Sequence, residues 1–254
     1  MERENVLQEV ASQVAVCKNC QLSFSRKKAV PGEGPLDAEI MLIGEGPGFY
    51  ENEQGRPFVG AAGKFLDELL EKAGVSRKDV FITNVVKCRP PGNRDPMPEE
   101  LQACGSYLER QIEVIGPLII VTLGRYSMAR FLSNAKISEV HGQPTWVRGR
   151  LIIPMFHPAA ALHQPSLKTS VERDFARLPE WIQQARLGGK QALAGWLASE
   201  DRLNLTAPGR LQPSGVQDTL LQDTLLLDSL LDLQPEEESK SDPRKDQPTQ
   251  LSLF

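Results

Sequence analysis

Apolar residues recur along this chain in two rhythms. Residues 38–43 (AEIMLI), 80–85 (VFITNV), 118–123 (LIIVTL) and 151–156 (LIIPMF) are short apolar runs of strand length, the pattern of strands buried on both faces. Between them the spacing lengthens to that of helices. Residues 61–73 set Phe65, Leu66, Leu69 and Leu70 on one face. Residues 98–114 open with Pro-Glu-Glu, a favourable helix start, residues 125–132 follow a glycine, and residues 167–186 read as a closing helix. Strands alternating with helices imply right-handed crossovers. The expected fold class is therefore α/β, a three-layer αβα arrangement around a central, four-stranded, mostly parallel sheet.

Past Gly188 and Gly189 the composition shifts. Residues 191–199 read as a short helical piece. Residues 216–233 (VQDTLLQDTLLLDSLLDL) space leucines and aspartates as a marginal amphipathic helix would. Residues 234–249 are charged and proline-containing, a composition expected to stay flexible. The chain thus divides into a folded body (1–187), an acidic, partly helical and partly disordered tail (188–249) and a terminal peptide (250–254).

The formal net charge of −4 looks wrong for a nucleic-acid binder, but it is unevenly placed. Of the 29 basic and 33 acidic side chains, seven and eleven lie in residues 184–254, leaving 22 of each sign in the body. A neutral body can still bind DNA through a local basic patch. With no apolar run of about 18 residues, no membrane span is expected. The charged start (MERENVLQEV) lacks a signal core, so a cytoplasmic location is expected.

The four cysteines are Cys17, Cys20, Cys88 and Cys104. A C-x-x-C pair completed by two distant thiols reads as a metal or cluster site rather than as disulfides. The spacing leaves zinc and an iron–sulfur cluster both open.

Ligands of an open parallel sheet bind beyond the carboxyl ends of its strands. There the sequence places Gly44-Glu45-Gly46-Pro47-Gly48 after the first strand, and Asn84 with Lys87-Cys88-Arg89-Pro90-Pro91 after the second. Gly124 follows the third, and His157-Pro158 the fourth. The glycine-rich turn is followed by no Lys-Ser/Thr and does not match a dinucleotide fingerprint, which disfavours a nucleoside triphosphatase or dehydrogenase. Singly, each feature has an ordinary structural explanation; His141 and His163 are assigned nothing more.

Taken in order, C-x-x-C at 17–20, GEGPG at 44–48, GRPFVGAAGK at 55–64, ITNVVKCRPPGNR at 82–94, Cys104 and MFHPAAAL at 155–162 resemble the uracil-DNA glycosylase superfamily. The match is specifically to the iron–sulfur family 4 enzymes of bacteria and archaea, and covers about residues 17–181. The resemblance implies hydrolysis of the N-glycosidic bond of a flipped-out deoxyuridine, the start of base excision repair, by a catalytic domain in residues 1–187. It also implies one four-iron four-sulfur cluster (4Fe-4S) on Cys17, Cys20, Cys88 and Cys104. Phe58 matches the aromatic on which uracil stacks. Asn84 can donate and accept at once, as pairing with uracil O4 and N3–H requires, and would reject cytosine. His157 would hydrogen-bond O2 as the uracil anion departs.

Gly46 stands where other families of the superfamily carry an acidic, water-activating residue, so backbone or the neighbouring Glu45 is expected to position the water. Gly46, Gly48 and Glu51 complete the expected uracil site, Glu51 either crowding the uracil C5 position or standing as a loop carboxylate. Leu162 is a candidate wedge in the minor groove. Asn93, Arg94 and Lys168 are candidate DNA contacts. The basic, histidine-containing loop of the DNA-trapping subgroup is missing from the sequence, which favours turnover.

The last five residues, Gln250-Leu251-Ser252-Leu253-Phe254, resemble the pentapeptide by which bacterial repair proteins dock on the sliding clamp, with Gln250, Leu251, Leu253 and Phe254 as anchors. Expected partners are therefore uracil-containing DNA and a bacterial sliding clamp, with no membrane, and the protein is expected to be a monomer. The rival readings are a DNA-binding module that does not cleave and an electron-transfer iron–sulfur protein.

Overall fold

The computed structural model describes residues 2–198, and their side chains through residue 188. The expected tail helix (216–233), flexible stretch (234–249) and terminal peptide (250–254) lie outside the described residues. In chain order the elements are α1 (Glu2–Val16), α2 (Leu22–Ser25), β1 (Ile40–Gly44), α3 (Phe49–Gln54), α4 (Ala61–Lys72), β2 (Val80–Asn84) and α5 (Pro98–Ile115). There follow β3 (Ile119–Leu123), α6 (Arg125–Ala129), α7 (Ile137–Val140), β4 (Thr145–Val147), β5 (Arg150–Met155), α8 (Pro158–His163), α9 (Pro165–Ala176) and α10 (Leu178–Ala198).

The four expected strands form a parallel array in the order β2-β1-β3-β5. One strand more than expected is present: β4 pairs antiparallel with β5 and closes that edge. It is three residues long and largely exposed, so it carries neither the apolar run nor the alternation that marks the others. The closing helix differs too. It divides at Arg177 into α9 and α10, and α10 runs on through Gly188 and Gly189.

Alternate strand residues face opposite layers. Leu42, Ile82, Val121 and Ile153 point to the side of α4, α9 and α10, where Phe65, Leu66, Leu69, Phe175 and Trp181 cover them. Met41, Ile43, Phe81, Ile120 and Ile152 face α5 through Leu108, Ile112 and Ile115. These two apolar cores, one on each face of the sheet, make the three layers.

Every parallel strand ends at the same edge. Pairing of Gly44 with Asn84, and of Leu123 with Met155, brings their following loops level. The functional groups are therefore side by side because the strand register is, not because they are close in sequence.

Candidate active site

Asn84 is the last residue of β2 and is 1% exposed, yet its Oδ1 has no hydrogen-bond partner. Leaving a buried amide oxygen unpaired costs about 1–3 kcal/mol. A ligand or an ordered water would complete its bonding. A Cβ at Gly44 would lie 2.4 Å from this oxygen and 2.9 Å from the Phe58 ring, so the absent side chain is what lets the two meet over β1.

Phe58 is held in the left-handed region (φ 51°), a conformation that costs a non-glycine residue about 1 kcal/mol or more. Three features hold it there. Glu51 Oε1 accepts hydrogen bonds from the backbone N–H groups of Val59 (2.8 Å) and Gly60 (2.9 Å). The Arg77 guanidinium donates to the carbonyls of Pro57 (2.8 Å) and Phe58 (3.2 Å). Gly63 passes so close that a Cβ there would sit 1.9 Å from the Phe58 carbonyl oxygen. Glu51 is thus a clasp on the aromatic loop rather than a free loop carboxylate. Nothing local in the sequence relates Arg77 to Pro57 and Phe58, which lie 20 and 19 positions away.

His157 caps α8: its Nδ1 accepts from the backbone N–H of Ala159 at 3.1 Å. With Nδ1 accepting, the neutral ring carries its proton on Nε2, which is then a donor. Burial pushes its pKa down to about 4, opposed in part by the Glu51 carboxylate. The residue retains some exposure, but its protein-enclosed ring sets the direction of the shift. Its ring lies 21° from parallel to that of Phe58, with centroids 5.4 Å apart. Phe58, Asn84 and His157 therefore converge on one site. The site's polar groups are a donor–acceptor amide and a neutral N–H donor, beside an aromatic ring.

Glu45 takes a different direction. Its Oε1 accepts from the Tyr126 N–H (3.1 Å) and lies where a Cβ on Gly124 would be, tucked against the start of α6. Burial raises its pKa to about 7, offset by the Tyr126 hydrogen bond and the nearby Arg125 charge. Part of the residue still reaches solvent, although the carboxyl is enclosed. At Gly46 a Cβ would meet Val86 Cγ2 at 2.9 Å, so the position tolerates no side chain without movement of a stiff β-branched neighbour. Gly48 lies against Glu51, whose Oε2 would be 2.8 Å from a Cβ there.

Of the expected DNA contacts, Asn93, Leu162 and Lys168 are exposed. Asn93 Oδ1 accepts from Arg89 Nε at 2.8 Å. Lys168 Nζ lies 5.9 Å above the Phe65 ring. Arg94 is not a free contact. Its guanidinium forms two hydrogen bonds to the buried Glu100 carboxylate, 2.7 and 2.9 Å, and Glu100 also caps the start of α5.

The four cysteines come together from distant parts of the chain. Cys17 follows α1, Cys20 precedes α2, Cys88 follows β2 and Cys104 lies on α5, and all four line one cavity with Arg26, Lys87 and Tyr107. Three sulfurs already receive N–H donors: Cys17 from Asn19 N (3.5 Å), Cys88 from Arg26 (3.1 Å) and Cys104 from Lys87 N (3.3 Å). Such donors stabilise charge on ligating thiolates. Among the described residues, no three His, Cys, Asp or Glu side chains draw close enough to hold a single metal ion.

Lys87, read in the sequence only as part of a motif, is 1% exposed. Its Nζ donates to Asn84 O (2.8 Å), Gln111 Oε1 (2.7 Å) and Thr83 Oγ1 (2.5 Å), so the same residue braces the end of β2 and, through its backbone, the cysteine cavity. A further concavity, lined by Asp37, Lys78, Asp79 and Arg186, lies at the amino edge of the sheet, away from these groups. No helix among the described residues is long and apolar enough to cross a membrane.

A family model for the uracil DNA glycosylase superfamily matches residues 31–178, more than half of the chain. A type-4 uracil-DNA glycosylase of Saccharolobus solfataricus is 51% identical over 181 residues, 67% of this chain and 84% of its own. One from Thermotoga maritima is 45% identical, covering 72% of this chain and 97% of its own. A type-5 uracil-DNA glycosylase of Thermus thermophilus is 38% identical over only 122 residues, 42% of this chain and 55% of its own. Archaeal and bacterial relatives match alike, so similarity alone does not restrict the source to bacteria. The matched span holds Phe58, Asn84 and His157, and on it the chain belongs to the uracil DNA glycosylase superfamily.

Proposed function

We infer that this chain is a monofunctional uracil-DNA glycosylase, hydrolysing the N-glycosidic bond of deoxyuridine to leave an abasic site and so beginning base excision repair. The observation that carries the reading is the buried, unpartnered Oδ1 of Asn84 beside Phe58 and His157. The target base must leave the stack to be reached. Once extruded, uracil stacks on Phe58 while the Asn84 amide accepts from N3–H and donates to O4. Cytosine presents the opposite pattern at that edge and leaves both amide groups mispaired. His157, neutral and protonated on Nε2, donates to O2 as negative charge develops there. The clasp of Glu51 and Arg77 presets the ring, so the site needs little rearrangement when the base arrives.

Glu45 faces α6, and Gly46 carries no side chain, so the attacking water is oriented by the backbone of the 44–48 loop. Lys87 Nζ is committed to three oxygens behind Asn84, which leaves it no part in Schiff-base chemistry and supports a monofunctional reaction. Asn93, Leu162 and Lys168 supply DNA contacts around the site. Arg94 acts instead through the loop it pins to Glu100.

Cys17, Cys20, Cys88 and Cys104 would hold a four-iron four-sulfur cluster. Support comes from the shared cavity, the N–H donors on sulfur and the relatives' type. A lone zinc at about 2.3 Å from each sulfur would need the four thiols drawn tightly together. The cluster's contribution is to tie the segment after α1 to β2 and α5; no step of the hydrolysis passes through it. The protein acts as a monomer in the cytoplasm. Its terminal residues Gln250, Leu251, Leu253 and Phe254, outside the described residues, tether it to the sliding clamp.

The test is strand scission by alkali after incubation with a uracil-containing oligonucleotide, run alongside iron and sulfide analysis of the same sample. Alkali-labile cleavage at the uracil alone is expected. Protein with intact iron and sulfide that releases no uracil would point to a binding module.

A further inference from the structure

Two aromatic side chains stand in solvent beside the site and have no place in the reaction as derived. Phe49 and Tyr50, directly after Gly48, are 53% and 55% exposed and pack edge-to-face, with ring centroids 5.4 Å apart and planes 86° apart. Exposing two adjacent aromatics forgoes a large apolar gain, which marks an interaction surface. Arg89, from the loop after β2, brings its guanidinium to 5.4 Å from the centre of the Phe49 ring, and its Nε is fixed by Asn93. Tyr50 also leans on Gly60, two residues from Phe58, and Glu51 joins the same turn to the Phe58 loop. The patch is therefore continuous with the uracil site, lies at the same edge of the sheet and carries a fixed positive charge.

We propose that Phe49 and Tyr50, with Arg89, form a stacking subsite for the base next to the target deoxyuridine on the same strand. The proposal rests on the glycosylase reading above and extends it to substrate selection. Aromatic rings flanked by arginine are how sequence-tolerant single-strand sites hold bases, because every base has a flat face and every linkage a phosphate. Extruding one base loosens its neighbour, and a ring waiting at the mouth of the site captures it. An unpaired strand offers that neighbour freely, so the subsite favours single-stranded over duplex substrate.

The test removes each partner in turn. Single-stranded oligonucleotides carry one deoxyuridine and either a normal neighbour or a base-free tetrahydrofuran neighbour, placed on the 5′ or the 3′ side. Uracil release under kcat/KM conditions is compared for the wild type and for Phe49→Leu/Tyr50→Leu, whose replacements keep an apolar, exposed surface. The wild type should lose on the order of tenfold when the neighbouring base on one side is removed, the scale of one base–aromatic stack. In the variant the two oligonucleotides should be processed within about twofold of each other. An equal penalty in both proteins, on both sides, would overturn the subsite while leaving the glycosylase reading intact. No uracil release by the wild type from any oligonucleotide would remove the glycosylase reading itself.

Discussion

At His157, the hydrogen bond from Ala159 and the lowered pKa together decide what the ring can do: it donates through Nε2 and stays neutral at ordinary pH. The consequence for stability has a definite sign. The folded-state pKa of about 4 is below the unfolded value, near 6.5, so the neutral ring's contribution is complete above about pH 6.5 and drains away as pH falls toward 4. Glu45 runs the other way. Its folded pKa of about 7 is above that of a free carboxyl, so its contribution is complete below about pH 4.5 and is lost as pH rises through 7. Thermal melts at pH 5 and pH 8 should show Glu45→Gln gaining stability over the wild type at the higher pH. His157→Gln should reduce the loss seen on acidification. Melts with the same pH dependence in all three proteins would contradict both assignments.

A second residue-scale prediction concerns Gly46. Because its absent Cβ faces Val86 Cγ2 at 2.9 Å, Gly46→Asp should slow uracil release for steric reasons whatever the new carboxylate does. Adding Val86→Ala makes room, and the double variant should recover at least part of the lost rate. If the double variant is slower than Gly46→Asp alone, crowding is not the cause.

At the scale of elements, the segment from Glu51 to Gly63 behaves as one clasped unit around a strained Phe58. Glu51→Gln keeps an acceptor oxygen for Val59 and Gly60 and should stay within a few-fold of the wild-type rate. Glu51→Ala leaves two N–H groups without it, at about 1–3 kcal/mol, and should cost roughly tenfold or more in uracil release. Equal rates for the two variants would mean that the clasp does not position the ring.

The same segment shows what a sequence does and does not reveal. The four parallel strands were legible because burial on both faces demands uninterrupted apolar runs, and the loops at their ends followed from that. β4 was not, because an exposed three-residue edge strand makes no such demand. Phe58, Asn84 and His157 were reachable through their motifs. The supports of the site were not: Arg77 reaches the carbonyls of Pro57 and Phe58 from about twenty positions away, Lys87 turns inward behind Asn84, and Glu100 locks Arg94, and nothing in the sequence shows that these charged side chains are committed to partners within the protein. His141 is another case. Its Nδ1 lies 2.6 Å from the buried Asp174 carboxylate and its ring packs on Phe156, the residue before His157.

For the molecule as a whole, the fold explains why a neutral body acts on DNA. The strand register gathers a buried amide, a neutral donor and an aromatic at one edge, and the half-buried Arg89 and the exposed Asn93, Leu162 and Lys168 stand outside the buried core. The terminal pentapeptide adds a separate expectation. Deleting residues 250–254 should remove capture by a bacterial sliding clamp and leave uracil release from short oligonucleotides within about twofold. Undiminished clamp capture would refute the tether.

The most direct test of the central claim is single-turnover release from otherwise identical uracil- and cytosine-containing single strands by the wild type and Asn84→Asp. The substitution keeps the shape of the side chain and replaces its donor with an oxygen. The wild type should release uracil and leave cytosine, and Asn84→Asp should lose at least about a hundredfold on uracil, the scale of an unpaired buried polar group at a reacting centre. Uracil release by Asn84→Asp at the wild-type rate would contradict the assignment of Asn84 as the residue that reads the base.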